Sequence, residues 1–501
     1  MSRSPSGGRA GEPASIPRNA GLAFAANIVT AGFTALITLY LVRALDPEGY
    51  GVFALALGFS GLLILPADFG ISPSASRFIA EHRGDDRAVA AVLFKALRLK
   101  LVLTAAVAVL LIALAEPIAS LYDQPDLVWP LRAVAVSLFG QSLVFLFSSV
   151  FVALGRVSGS LILIMFEAAT EAIATIGLVV LAGGATAAAF GRAIGYVAGA
   201  VFGCILLMRL LGRHAIRQRA GGPTGRQLAR YAGALLLVDS AYAVFTQVDI
   251  LLVGLIVNTT AAGIYGAPIK LTVLLSYPGL SISNAISPRL ARHATEKPDV
   301  RALLGGLRLL SYVQAFMAAV LLVWAEPIVD VVLGSGYEDS VGVLRILSGL
   351  VLFSGLGPLA SLSVNFLGEA RRRVPITVAC LVLHVIGTIV LVNAIGIEGA
   401  AISVDVAYGV YVLAHLRICS QLLEFSLRPL ARATVSALAA GAALAAVLFA
   451  FGTDSLSVID WVAGLVLGAA AFLAAVVATR GASPTELRAL VGQVGSVFQR
   501  A

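Results

Sequence analysis

The feature that most constrains this chain is the recurrence of apolar runs long enough to cross a bilayer. Fourteen can be marked, at approximately 20–42, 51–73, 99–116, 131–154, 159–181, 187–208, 231–254, 262–284, 309–332, 343–367, 375–395, 399–418, 433–452 and 460–479. About 20 apolar residues in a helix cover the roughly 30 Å of a hydrocarbon core. The runs are continuous rather than alternating, so they predict helices and not barrel strands. Only 12% of the residues are charged and 59% are hydrophobic, whereas a soluble domain is about one quarter charged. A soluble fold of this composition could not cover its own surface. The expected fold class is all-α integral membrane, with about 14 transmembrane helices.

The basic residues then predict an orientation. Thirty of the 35 Lys and Arg fall in the N-terminal tail, in alternate loops, or in the C-terminal tail. The exceptions are Arg43, Arg132, Arg192, Lys270 and Arg345. The opposite loops carry Asp46, Glu48, Asp123, Asp126, Glu338, Asp339, Glu398 and Asp454. Cytoplasmic loops concentrate Lys and Arg, so both termini are expected in the cytoplasm and the chain in the cell (inner) membrane. The net charge of +8 is thereby assigned to anionic lipid and cytoplasm, which argues against nucleic acid. Residues 1–18 are rich in Ser, Gly, Pro and Arg. They read as a disordered basic tail and not a cleavable signal peptide. Cys204, Cys380 and Cys419 show no paired spacing, so no disulfide framework, metal site or other cofactor is expected.

The chain also repeats itself. Arg43-Ala-Leu-Asp46-Pro47-Glu48-Gly49-Tyr50-Gly51, an apolar run, and Ala67-Asp68-Phe69-Gly70-Ile71-Ser72-Pro73 form one hairpin. A second copy runs from Leu255 through Asn258, Gly263, Tyr265 and Gly266 to Ser283-Asn284-Ala-Ile-Ser-Pro-Arg289. Ala115-Glu116-Pro117-Ile118 recurs as Ala325-Glu326-Pro327-Ile328, Leu131-Arg132 as Leu344-Arg345, Leu154-Gly155 as Leu367-Gly368, and Tyr196 as Tyr408. A constant offset with six spans per copy predicts parallel repeats about an axis along the membrane normal. The expected units are an N-lobe at 19–210 and a C-lobe at 231–419, with a cleft between them. Two added spans at 433–479 and a cytoplasmic tail at 480–501 complete the chain.

No Gly-x-x-x-x-Gly-Lys-Ser/Thr, His-Glu-x-x-His, Gly-x-Ser-x-Gly or Cys-x-x-Cys occurs, and no loop can house a catalytic domain, so no enzyme is expected. Polar residues inside the spans carry the functional information instead. Lys270 could face the cleft and hold an anionic headgroup, or snorkel outward or pair with Asp249. Arg43 stands at the outer mouth, as a substrate contact or as an interfacial anchor. Gln247, Asp249 and Asn284 complete the candidate binding set. Glu167 and Glu171, one turn apart, read as an ion relay or as partners of Arg192. Asp239 and Asp405 are further ion-coupling candidates. Asp68 reads as a cap or a partner of Arg77, His384 as a core histidine, and Arg132 and Arg345 as sharing one structural role. The ridge Gly191, Gly195, Gly199, Gly203 predicts close helix packing.

The Leu-Val-Arg-Ala-Leu-Asp-Pro-Glu-Gly-Tyr-Gly-Val-Phe hairpin with Ala-Asp-Phe-Gly-Ile resembles the start of bacterial polysaccharide-biosynthesis flippases. These are the Wzx-like branch of the MOP exporters. The resemblance covers essentially the whole chain. It implies a V-shaped pair of lobes that moves undecaprenyl-diphosphate-linked oligosaccharide from inner to outer leaflet. It implies a lipid-linked oligosaccharide and membrane lipids as partners, alongside a polysaccharide polymerase and glycosyltransferases. Related lipid flippases have a cationic cavity, and Lys270 best matches it here. Basic residues usual in span 1 are absent, its polar members being Asn27, Thr30 and Thr34. The alternatives are a cation-coupled drug antiporter of the same superfamily, using Glu167, Glu171 and Asp249, and a non-transporting scaffold. A glycosyltransferase would need a catalytic loop that is lacking.

Overall fold

The computed structural model describes residues 16–217, 225–227, 241–290 and 298–479, with side chains of the first helix described from Val29 onward. Asp239 and both tails fall outside these residues. The described residues are helical throughout, and eleven of their helices are long and apolar enough to cross a membrane. The protein is an all-α, multi-pass membrane protein.

The N-terminal helices are α1 (Ile16–Ala44), α2 (Pro47–Asp68), α3 (Ile71–Glu81), α4 (Asp86–Leu121), α5 (Val128–Ala153), α6 (Val157–Ala182) and α7 (Gly184–Arg217). Local chemistry sets their ends. Asp46 caps α2 by accepting the Gly49 amide at 2.7 Å, with Pro47 opening the helix. Phe69 (φ 47°) and Gly70 (φ 69°) break the chain between α2 and α3. Asp85 caps α4 by accepting the amides of Arg87 and Ala88. In this bundle α7 packs between α5 and α6. The predicted glycine ridge makes that possible. Cβ atoms on Gly191, Gly195 and Gly199 would strike Thr175, Glu171 and Glu167 of α6, and Gly140 of α5 lies against the Tyr196 backbone.

The remaining helices are α8 (Val248–Ile256), α9 (Thr259–Leu274), α10 (Tyr277–Ile286), α11 (Val300–Val323), α12 (Ser340–Ser354), α13 (Leu356–Phe366), α14 (Arg373–Ile395), α15 (Ile397–Leu423), α16 (Arg428–Ala450) and α17 (Val458–Ala478). Here α15 packs against α14, α12 and α13, and α9 packs on α12. Helices α16 and α17 lie outside against α11. Trp324 anchors them, donating to the Gly452 carbonyl at 3.2 Å and meeting the Trp461 ring edge-on.

Two predicted spans are not continuous. The run at 231–254 is interrupted at Thr246 and Gln247, before α8 begins. The run at 262–284 breaks at Leu275 and Ser276, between α9 and α10. Broken helices at membrane depth occur where the freed backbone is buried in protein or lines a wet cavity. Apolar periodicity does not report such breaks.

The same structural devices recur in both halves. Asn258 caps α9 through the Ala261 amide at 2.7 Å, as Asp46 caps α2. Arg132 pairs with Glu116 at 2.8 Å, and Arg345 with Glu326 at 3.4 Å. These two arginines share one role, bracing the turn after an Ala-Glu-Pro-Ile segment.

Candidate functional site

The two groups of helices meet chiefly where α2 crosses α9. The crossing is reciprocal. A Cβ on Gly51 would lie 2.0 Å from the Thr259 carbonyl oxygen, and one on Gly263 would lie 1.9 Å from that of Pro47. Only glycine lets the backbones touch at both places. This end is closed further from both sides. The Tyr122 hydroxyl donates to the Leu251 carbonyl at 3.1 Å. Tyr337 is fully buried, in a loop whose Gly336 abuts Pro47. Arg43, though exposed, donates to the carbonyls of Val331 and Val332. Those carbonyls belong to the wide helical turn Val329–Leu333.

The seal does not run the length of the helices. α2 is buried almost without break from Tyr50 to Ser60, then half-buried from Gly61 to Leu65. α9 is buried from Ala261 to Pro268 apart from Ile264, then half-buried at Ile269, Lys270 and Leu271. Packing therefore loosens towards the end where α3 and α10 begin. Lys270 sits where tight packing gives way.

On the N-terminal side of this gap lies a buried ionic cluster. Arg192 of α7 pairs with Glu171 of α6 at 2.5 Å and donates to the Tyr196 hydroxyl at 3.3 Å. Gln141 of α5 also donates to that hydroxyl, at 3.3 Å. Glu167 is buried one turn away, and its Oε1 has no partner among the described residues. Of the two carboxylates only Glu171 forms an ion pair with the guanidinium. On the other side, buried Asp249 accepts the Tyr265 hydroxyl at 2.7 Å and the Ile250 amide at 2.9 Å. His384 is fully buried, with its Nδ1 3.1 Å from the Ser403 hydroxyl and its Nε2 without a partner among the described residues. Asp405 is half-buried beside Gly349, with Oδ1 unpartnered among the described residues.

Lys270 is half-buried and makes no hydrogen bond or ion pair with any described residue. Asp249 is engaged by Tyr265 and so is not its ion-pair partner. Gln247 lies against α2, where a Cβ on Gly61 would touch it. Asn284 is exposed on α10, apart from this cluster.

One expectation is half corrected. Asp68 does cap the broken helix end, accepting the Ser72 amide at 3.4 Å and the Ser72 hydroxyl at 2.5 Å, but its ion-pair partner is not Arg77 but Lys100, which is fully buried. Arg77 pairs with Glu81 at 2.9 Å. Lys100 read as a loop cation because the apolar run starts near residue 99. The helix, however, starts at its Asp85 cap, which puts Lys100 four turns inside. The acid pair Asp85-Asp86 before an alanine-rich stretch was the available signal. Arg373, counted with the loop arginines, is likewise buried. It donates to Asn365 at 2.8 Å and to the Tyr411 hydroxyl at 3.2 Å.

A model of the family described as polysaccharide biosynthesis protein matches residues 16–293. The chain belongs to this family. A Haloferax volcanii relative named "Probable low-salt glycan biosynthesis flippase Agl15" is 23% identical over 438 residues, 86% of this chain and 88% of the relative. Among solved structures, the lipid II flippase MurJ in an inward closed conformation superposes with a TM-score of 0.71 at 13% identity, covering 91% of this chain and 96% of MurJ. An inward-facing multidrug resistance MATE family transporter of the MOP superfamily gives 0.65 at 16% identity, covering 80% of this chain and 99% of that one. These two likenesses establish the fold of this polysaccharide biosynthesis protein. The proteins named are flippases and transporters and not catalysts, in keeping with the expectation that the chain is no enzyme.

Proposed function

We propose that this protein is a flippase for lipid-linked oligosaccharide, carrying the sugar headgroup through the gap between its two helical lobes by alternating access. One observation carries the reading. Lys270 stands unpaired among the described residues where the α2–α9 seal ends. A half-buried cation set among membrane helices without a partner is costly, and an anionic headgroup supplies one. Even a single bare charge costs tens of kcal/mol in hydrocarbon, so a polar passage between lobes is what such a cargo needs. The glycan flippase relative and the MurJ fold agree with this.

The finer reading follows from the sequence. The positive-inside distribution supports cytoplasmic termini, 14 spans and an inner membrane. The reciprocal contacts of Gly51 and Gly263, the paired caps and the paired Arg–Glu braces support two parallel repeats. On that orientation the structure is closed outside and loosened inside. The cargo is an undecaprenyl-diphosphate oligosaccharide moving from inner to outer leaflet, delivered by glycosyltransferases and passed to a polymerase. Its anion moves towards the positive side, which gains about 2.3 kcal/mol per charge per 100 mV. Lys270, Asp249 and Gln247 line the passage, with Asn284 and Arg43 at its two ends. Glu167, Glu171, Asp239 and Asp405 are candidates for ion coupling.

The test is reconstitution of the full chain in vesicles with a fluorescent undecaprenyl-diphosphate oligosaccharide, scored by membrane-impermeant quenching. Wild type should expose the cargo on the opposite face, and Lys270→Ala should lower the rate at least tenfold while remaining folded. A normal rate in Lys270→Ala removes Lys270 from the passage. Transport of an organic cation with no movement of the glycan would favour the MATE-like drug antiporter instead.

A further inference from the structure

We propose that the spans at 262–284 and 343–367 bend together about Ser276 and Gly355, and that Gln314 of α11 is the pin that holds this joint in its present setting. The proposal rests on the alternating-access reading above and adds which lobe deforms and where. Both interruptions are set by proline. Pro278 has no amide to give the Leu274 carbonyl, and α9 ends at Leu274. Pro358 stands in the same relation to Ser354, where α12 ends before α13 begins at Leu356. The two joints touch. A Cβ on Gly279 would strike the Cα and carbonyl of Gly355, so a change of angle in one span pushes on the other.

Gln314 lies where the joints meet. It is fully buried, its Nε2 donates to the Leu275 carbonyl at 3.4 Å, and the same nitrogen leaves no room for a Cβ on Gly355. Its Oε1 has no partner among the described residues. A buried amide oxygen left empty is costly, and this arrangement uses only half of the amide. The first lobe lacks such a joint. The register that pairs Gly51 with Gly263 also pairs Pro66 with Pro278, yet α2 runs through Pro66 to Asp68 without interruption. The register that pairs Leu131 with Leu344 pairs Ser142 with Gly355, and α5 is continuous from Val128 to Ala153. The register that pairs Ala115 with Ala325 matches Gln314 with Thr104, whose hydroxyl reaches the Ala67 carbonyl at 3.2 Å and the Ser142 hydroxyl at 3.0 Å. The break at Phe69 and Gly70 is held by the buried pair of Asp68 and Lys100. A buried ion pair braces one lobe, and a single long amide hydrogen bond braces the other.

The joint is tested by pulsed spin-label distances in the full chain, with Cys204, Cys380 and Cys419 replaced, reconstituted in vesicles. Val257→Cys with Ala285→Cys brackets the α9–α10 joint, Glu48→Cys with Ala80→Cys brackets the α2–α3 break, and Asp126→Cys with Ser335→Cys reports the separation of the lobes. All of these positions are exposed. Each pair is measured with native Gly51 and with Gly51→Ala, whose clash with the Thr259 carbonyl favours opening. Opening should add a second, separate distance to the Val257–Ala285 pair and none to the Glu48–Ala80 pair. Gln314→Met, which keeps the length and removes the amide, should raise that second population roughly fivefold, the scale of one hydrogen bond. A glutamine that only filled space would lower the melting temperature and leave the distances alone. Pro278→Ala, which returns an amide to Leu274, should suppress the second population severalfold. A single Val257–Ala285 distance while the Asp126–Ser335 pair lengthens overturns the joint and leaves alternating access standing. Unmoved distances at both pairs sink the alternating-access reading itself. An unshifted ratio in monodisperse Gln314→Met overturns the pin, and should that variant fail to fold, an unshifted ratio in Pro278→Ala overturns the joint.

Discussion

The α2–α9 crossing yields the sharpest prediction. Gly51→Ala places a methyl group 2.0 Å from the Thr259 carbonyl oxygen, 2.9 Å from its carbon and 3.0 Å from the Gly263 amide nitrogen. Ordinary contacts to a Cβ are 3.4–4 Å, and all three neighbours are backbone, so no side chain can swing aside. The helices must separate by roughly 1 Å or more, and overpacking of this kind typically costs about 1–3 kcal/mol. On the alternating-access proposal that cost falls on the sealed arrangement alone, since the crossing would open as the lobes tilt apart. At about 1.4 kcal/mol per tenfold, the outward-open population should rise between about fivefold and a hundredfold. Ala262 is fully buried in the seal, so Ala262→Cys, in a chain with Cys204, Cys380 and Cys419 replaced, reports on opening. An impermeant maleimide added outside should label it much faster in Gly51→Ala than in the parent. Unchanged labelling in a monodisperse variant would refute the gate and the reasoning behind it.

Other consequences can be checked with the same protein. Arg43→Ala removes two hydrogen bonds to the Val329–Leu333 turn at an exposed site, so Ala262→Cys labelling should rise only severalfold, for about 1 kcal/mol. Asp68→Asn strips Lys100 of its counterion in a buried site, which should cost about 3–5 kcal/mol in detergent unfolding, whereas Asp68→Leu with Lys100→Met should recover most of that. Its own amide and then that of Gly336 hold the Glu338 carboxyl below its ordinary range. A depressed carboxyl gives its contribution above the ordinary value near pH 4.3 and loses it as pH falls through the lower folded value. Outer closure should therefore be unchanged from pH 7 to 5 and loosen only in stronger acid.

Much of the local structure around the candidate site was legible in the chain because the physics behind it is local. Asp46 and Asn258 precede helices and cap them, as short polar side chains before an apolar run do. The glycine ridge of α7 had a four-residue spacing that could serve only one helix face. Arg192 and the acids of span 5 lie on helices joined by a short loop, so their pairing was within reach. Lys100 was not, because a hydropathy window reports where lipid-like sequence begins and not where a helix is capped.

By itself the sequence determined that the chain must hide many greasy segments in a bilayer and that they are helices. Lateral order is another matter. Whether Asp249 meets Lys270 or Tyr265, and whether Asp68 meets Arg77 or Lys100, depends on which helix faces which across distances that no periodicity encodes. The tertiary structure decided those pairings, and with them which charge was left over. A charge set among helices must find a partner in space and not in sequence, and half-buried Lys270 finds none among the described residues.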